Sequence, residues 1–319
     1  MSIKHLVICG GGPLGFSFLG AIEKLNEEHF LEMDDIESIY GTSIGSIIGA
    51  FICLKYDWET LTKYVIERPW HDAIKVTAKQ IFDSYYNKGL FNKKVAEIIF
   101  KPLLEAKELT TNVTLQEFYE YSKIDLHIFT FELNKFETVE LSHTTHPTLG
   151  LLEALTMSSS LPGIFMPIIQ DDKCFLDGGV RCNYPVNECV RDHPNKDEIL
   201  GIKIYFNKQC TFANLKVTSE SSLLEYIICL SVNSMNFIRE SVKLEQIDNI
   251  VKCNIEYNPL SLDFMTSAIN NKDIRRDLYK KGHDYALEFL SLKRDKEKDK
   301  EKDKEKDKEK EKEEPVDNP

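Results

Sequence analysis

Ile36-Glu37-Ser38-Ile39-Tyr40-Gly41-Thr42-Ser43-Ile44-Gly45-Ser46-Ile47-Ile48-Gly49-Ala50-Phe51-Ile52-Cys53-Leu54 is the stretch on which the fold turns. Its opening, β-branched and aromatic as far as Tyr40, reads as a short strand. From Ile47 the residues are apolar almost all round, the pattern of a helix buried on every side. Between them, Gly41-Thr42-Ser43-Ile44-Gly45 supplies the Gly-x-Ser-x-Gly of a nucleophile elbow. So sharp a turn leaves no room for side chains on both flanks of the serine, so Gly41 and Gly45 let strand and helix pass closely. The Ser43 oxygen is then presented at a helix N-terminus, where the peptide dipole favours developing negative charge. The simpler alternative is a tight turn in which Ser43 only caps the helix.

Toward the N-terminus, Ile3 to Cys9 reads as a buried strand that breaks at Gly10-Gly11-Gly12-Pro13-Leu14-Gly15. An amphipathic helix follows, with Phe18, Leu19, Ile22 and Leu25 on one face. Bare N–H groups in such a loop can crowd around a negative oxygen. Gly10, Gly12 and Gly15 have the spacing of a dinucleotide fingerprint, which also wants an acidic residue about 20 residues on, at the end of the next strand. That strand ends at Tyr40 and delivers Ser43 instead. The other reading is an oxyanion hole, with Gly11 and Gly12 donating and Pro13 holding the loop rigid. The order strand, glycine loop, helix, strand, serine elbow puts both loops at the C-terminal edge of neighbouring parallel strands, where ligands gather in open α/β sheets.

Toward the C-terminus, Trp58 to Leu104 is loosely helical, and Thr114 opens a short helix. Ile124–Glu132 and Phe136–Leu141 read as a hairpin around Asn134-Lys135. The apolar helix Leu149–Met157 runs into Ser158-Ser159-Ser160-Leu161-Pro162-Gly163. Lys173-Cys174-Phe175-Leu176 is a short strand ending in Asp177-Gly178-Gly179, either ordinary turn chemistry or a carboxylate freed by two glycines to approach other backbone. A further strand spans Glu198–Phe206, and the apolar helix Leu223–Ile238 reads as core rather than as a lipid-facing surface. Arg275–Leu290 is an amphipathic closing helix, with Leu278, Tyr285, Phe289 and Leu290 inward. From Lys293 to Glu314, Lys alternates with Asp or Glu with no apolar residue. Residues 1–292 are therefore expected to be globular, enough for one large α/β domain or two small ones, and residues 293–319 a low-complexity tail, disordered or a fraying helix.

The net charge is −12 over 319 residues, and the tail's charges nearly cancel, so the globular part is acidic. No basic stripe is available to neutralise phosphates, which argues against nucleic acid as a partner. Eight cysteines look like a disulfide set until their positions are read: Cys9, Cys53 and Cys229 sit inside apolar runs and none forms a Cys-x-x-Cys pair. Reduced thiols fit an intracellular, cytoplasmic protein. The N-terminus lacks a signal-peptide profile, and no apolar run approaches the roughly 20 residues that span a bilayer. Neither a calcium loop nor zinc-ligand spacing is present, so no cofactor or metal is expected.

Three ordered blocks, Gly10-Gly11-Gly12-Pro13-Leu14-Gly15, Gly41-Thr42-Ser43-Ile44-Gly45 and Asp177-Gly178-Gly179, resemble those of patatin-like phospholipases. The segments between them are also similar: Gly89-Leu90-Phe91, Ser158 to Phe165 followed by Pro167, and Asn183-Tyr184-Pro185-Val186. The resemblance covers residues 3 to 206 and implies a three-layer α/β/α sandwich with a mostly parallel central sheet. It implies lipid acyl hydrolysis by a Ser-Asp dyad, with Ser43 as nucleophile and Asp177 as base. Gly10, Gly11 and Gly12 would supply the oxyanion hole, and Gly15, Gly41, Gly45, Gly178 and Gly179 would support the motifs. Leu14 departs from the Arg or Lys that many members carry there, so reduced or retuned activity is expected more than its loss.

A solvated aspartate is a poor base at neutral pH, and burial with few donors would raise its pKa toward usefulness. The rival is a Ser-His-Asp triad, since Ser43, Asp177 and His283 follow the α/β-hydrolase order. His283 lies in the closing amphipathic helix, where a structural histidine is the alternative. The expected function is lipid acyl-ester hydrolysis, with contact to a membrane or lipid-droplet surface that is transient. A transacylase would use the same residues, and a lipid-binding pseudoenzyme is the reading from another class. Composition leaves the oligomeric state open.

Overall fold

A computed structural model describes residues 2–74, 77–206, 217–255 and 262–313. The strands are β1 (His5–Ile8), β2 (Ser38–Thr42), β3 (Gly89–Phe91), β4 (Asp125–Glu132), β5 (Glu137–Leu141), β6 (Gly163–Phe165), β7 (Ile168–Gln170), β8 (Lys173–Asp177), β9 (Ile199–Phe206) and β10 (Ile250–Ile255). The central sheet has the order β10-β9-β1-β2-β4-β8-β7, with β5 also paired to β4, while β3 and β6 form a separate parallel pair. From β10 to β4 every neighbour is parallel; the β4–β5, β4–β8 and β7–β8 pairs are antiparallel. The fold is α/β, with a mixed, mostly parallel sheet between helices.

Consecutive residues of β2 reveal the two outer layers, because side chains alternate across a strand. Ile39 meets Gly49 of the helix Ile44–Cys53. Its neighbour Tyr40 points the other way and donates at 3.0 Å to Asp192, at the end of the helix Val186–Asp192. Strands β1 and β2 are buried throughout, as a doubly covered parallel sheet requires.

Register on β4 brings the two distant motifs together. Strand β2 pairs with Asp125 to Phe129, whereas β8 pairs with Thr130 to Glu132. Strand β5 pairs with Ile128 to Glu132, so it must occupy the opposite edge. The strands β2 and β8 therefore share one edge of β4 end to end, with Thr42 beside Phe129 and Asp177 beside Thr130. Residues 43 and 177 emerge at the same level.

The first helix, Gly15–Glu27, packs along the closing helix, Lys272–Glu313. The contact is main chain to main chain: a methyl on Gly282 would lie 2.0 Å from the Ser17 carbonyl oxygen. The closing helix is longer than its apolar spacing suggested, and its backbone stays helical through the charged run to Glu313; the last residues of the expected tail, 314–319, lie outside the described residues. Lys293, the first residue of that tail, sits with Nζ 4.6 Å from the centre of the Phe30 ring and bonds Asn249. The helix Leu223–Glu240 also differs from the expected core helix. One stripe, Ile228, Cys229, Val232 and Met235, is buried, while Leu223, Tyr226, Leu230 and Phe237 are exposed. Among the described residues, no helix is long and apolar enough to cross a membrane.

Candidate active site

Ser43 stands between β2 and the helix Ile44–Cys53 with φ 53° and ψ −124°, a backbone conformation that non-glycine residues rarely adopt. Such a conformation costs on the order of 1–3 kcal/mol and persists only where the surroundings impose it. Here the Ser43 N–H donates to Ser158 Oγ at 2.8 Å, and Ser158 Oγ donates to the Phe129 carbonyl at 2.6 Å. Gly45 explains the sharpness of the turn, since a methyl there would lie 2.2 Å from the Ile8 carbonyl oxygen. Ser43 makes no capping bond to the helix behind it. Its Oγ donates instead to Asp177 Oδ2 at 2.7 Å, across 134 residues of sequence.

Asp177 is 5% exposed. Its N–H donates to the Ser160 carbonyl at 3.0 Å, and its Oδ1 accepts the Gly179 N–H at 2.7 Å. Burial pushes its carboxyl above the usual carboxylate range; the Ser43 and Gly179 hydrogen bonds and the charge of Arg239 pull the other way without cancelling it. Gly178 lets this turn lie against β4, for a methyl there would sit 2.1 Å from the Phe129 carbonyl oxygen.

In the glycine loop, the Gly10 N–H donates to the Asn183 carbonyl at 3.0 Å, and Asn183 Nδ2 returns a bond to the Gly10 carbonyl at 3.2 Å. The Gly10 N–H expected to serve an oxyanion is thus engaged by Asn183 in this structure, stapling the loop. The Gly11 and Gly12 N–H groups carry no such bond among the described residues. Gly15 lets the first helix approach the elbow helix, with a methyl there only 2.2 Å from Ile44 Cγ1. Leu14 is 1% exposed and belongs to the core. His283 is not drawn to Asp177: its Nε2 lies 3.0 Å from the Glu23 carboxylate on the first helix.

Ser43, Asp177 and the glycine loop line a cavity of about 880 Å³ whose other walls are mostly apolar, including Phe16, Leu19, Ile48, Phe51, Leu161 and Met235. Three buried polar atoms in this wall, Ser159 Oγ, Tyr184 OH and Asn236 Nδ2, have no hydrogen-bond partner among the described residues. Sequence reasoning singled out neither Ser158 nor Arg239. The first stood inside a recognised segment with no assigned role, and the second lies in a helix that carries no motif.

The family model described as patatin-like phospholipase matches residues 6–190. The chain belongs to the patatin-like phospholipase family. An uncharacterised protein of Acanthamoeba polyphaga mimivirus is 25% identical over 280 residues, 87% of this chain and 89% of the relative. A probable lipid hydrolase of Invertebrate iridescent virus 6 is 28% identical over 204 residues, 61% of this chain and 66% of the relative. The lysophospholipase NTE1 of Kluyveromyces lactis is 25% identical over 186 residues, 58% of this chain but 12% of that much longer protein. Among solved structures, VipD from Legionella pneumophila superposes with a TM-score of 0.52 at 14% identity, covering 91% of this chain and 67% of VipD, a likeness of fold. The patatin-like match ends at residue 190, before β9, β10 and the helix Leu223–Glu240.

Proposed function

We propose that the protein is a lipid acyl hydrolase that cleaves carboxylic esters through an acyl-Ser43 intermediate, with Asp177 as its base. The observation that carries this reading is the 2.7 Å bond from Ser43 Oγ to a buried Asp177 in the wall of an apolar cavity. Family membership and the relatives named lipid hydrolase and lysophospholipase support the substrate class.

Asp177 Oδ2 takes the Ser43 proton as Oγ bonds to the ester carbonyl carbon, and the carbonyl π electrons move onto oxygen. That oxygen meets the N–H groups of Gly11 and Gly12, donors that need no reorganisation when the charge appears. Collapse breaks the bond to the alcohol, which leaves with the proton from Asp177. Water then repeats the cycle on the acyl-serine, releasing the fatty acid. The raised Asp177 pKa favours the first proton transfer, each unit being worth about 1.4 kcal/mol. Ionised Asp177 is required, so kcat/KM falls as pH drops through that raised pKa.

The test is a set of variants assayed on acyl esters, together with labelling by a serine-reactive phosphonate. Ser43→Ala and Asp177→Asn are each expected to lower turnover by about 10³-fold or more, and the double variant to be little worse, since the two act as one unit. His283→Ala should retain turnover. Wild-type-like activity in a folded Asp177→Asn variant would overturn the dyad, and an unlabelled, inactive wild type would overturn the hydrolase.

A further inference from the structure

Arg239 is a cation in an apolar wall with no ion pair within 4 Å among the described residues. It reaches the site from the last turn of the helix Leu223–Glu240, outside the family match. Its Nε donates to the Gly179 carbonyl and its Nη1 to Asn236 Oδ1 at 3.4 Å. The residue whose carbonyl it holds is the one whose N–H is bonded to Asp177. A methyl on Gly179 would meet Arg239 Nη2 at 2.7 Å, and both Asn183 Oδ1 and Asp177 Oδ1 at 2.8 Å, so the three groups converge above that residue. A methyl on Gly10 would meet the same Asn183 oxygen at 2.6 Å. The guanidinium is therefore separated from the glycine loop by little more than one asparagine side chain.

We propose that Arg239 is the counter-charge of the Asp177 base, holding the Asp177–Gly179 turn through its carbonyl and keeping a positive charge beside the migrating negative charge of the reaction. The inference rests on the Ser43–Asp177 reading above. Before attack, the negative charge of the site is on Asp177. When the Ser43 proton passes to Oδ2 and Oγ bonds to carbon, Asp177 becomes neutral and the same charge sits on the former carbonyl oxygen at Gly11 and Gly12. The net charge does not change, and a fixed cation beside Asp177, little more than one asparagine side chain from the glycine loop, stabilises it at both positions. Burial disfavours the ionised form of Asp177 and the neighbouring cation favours it, and the balance leaves the carboxyl above the usual carboxylate range, a stronger base than a solvated aspartate.

The other titratable groups around the pair do not supply this charge. Burial pushes Cys9 up to about 12 and Cys182 well above its ordinary value, so both face Arg239 as neutral thiols. Arg181, Lys203, Glu188 and Glu240 line the same cavity, but Arg239 is the charged side chain that acts on Asp177. Burial lowers the Arg239 guanidinium to about 10 against the opposing pull of Asp177, so it stays protonated at neutral pH.

The experiment measures the pH dependence of kcat/KM on an uncharged short-chain acyl ester. Arg239→Met should move the acid limb up by about one to two pH units, the effect of one charge a few ångströms away. Arg239→Lys keeps the charge and should restore the limb to near its wild-type position, which a purely structural role for the guanidinium would not do. Asn236→Asp keeps the shape and the bond to Nη1 while neutralising the cation, and should also move the limb upward. A folded Arg239→Met variant with an unmoved limb would overturn the proposal, as would activity lost only on phosphate-bearing esters, which marks a head-group contact. If Arg239→Met does not fold, an unmoved limb in Asn236→Asp is the overturning result. Ser43→Ala and Asp177→Asn separate the two levels: activity surviving in them sinks the dyad, whereas their inactivity beside an unmoved Arg239 limb sinks only this inference.

Discussion

The two sides of the cavity are built by different physics. The elbow around Ser43 is made of main chain: Gly45 against the Ile8 carbonyl, Gly178 against the Phe129 carbonyl, and Ser158 bridging Ser43 to Phe129. The helix Leu223–Glu240 facing it is made of side chains, with Val232 and Met235 packed inward and Phe237 78% exposed on its other face. Backbone contacts at van der Waals distance tolerate no added atom, whereas a one-faced helix tolerates most substitutions on its wet side. The contrast shows how the proposed chemistry would be spread over the chain: its nucleophile needs the rigid half, and the charge proposed to tune its base reaches in from the permissive half.

Gly45→Ala attacks the rigid half directly, and its effect should be the largest. The new methyl would lie 2.2 Å from the Ile8 carbonyl oxygen, so β1 or the elbow helix must move. A loss of about 3 kcal/mol or more is expected, read as a large drop in melting temperature together with turnover. A variant that melts like the wild type would mean that the strand-to-helix packing is looser than its geometry implies.

Leu14→Arg tests whether the charge can be moved from one half to the other. Leu14 is buried among apolar residues, so the substitution puts an unpaired charge into the core, and several kcal/mol of stability should be lost. A folded variant with raised turnover would show that the glycine loop can accept a cation of its own, which would make Arg239 redundant.

A smaller effect, lying in neither half, comes from His127 on β4. Burial lowers its pKa, but bonds from Nε2 to Asp125 at 3.2 Å and from Nδ1 to Glu140 at 2.6 Å outweigh this and raise it to about 9. A raised folded-state pKa means that this stabilisation is fully present below about 6.5, the unfolded value, and is lost as pH rises through about 9. Unfolding free energy should decline by up to about 3 kcal/mol across that window, and His127→Gln should flatten the slope. An unchanged slope in the variant would assign the pH dependence elsewhere.

The permissive half should hardly respond. Phe237→Ala removes a ring that is 78% exposed and should change stability by no more than about 0.5 kcal/mol. Truncation after Arg294, which keeps the Lys293 contacts with Phe30 and Asn249, should leave both melting temperature and turnover as they are. A larger change in either would extend the rigid half into the helix or the charged segment.

What the sequence determined by itself was local. Strand, glycine turn and apolar helix at residues 36–54, the glycine loop at residues 10–15, and Asp177 at a strand end were all legible, because backbone conformation and burial leave their mark on neighbouring residue types. Tertiary structure decided what these parts meet. That β2 and β8 share one edge of β4, which brings Ser43 to Asp177, is a matter of pairing register, and no residue type specifies a partner strand. Gly10 reads in sequence like Gly11 and Gly12, and only the position of Asn183 commits its N–H elsewhere. The outer face of Leu223–Glu240 is apolar enough to resemble core, and its exposure depends on what the rest of the chain leaves uncovered. Arg239 had no signal at all: a lone arginine at a helix end is ordinary, and it becomes part of the site only because the fold lays that helix against Gly179.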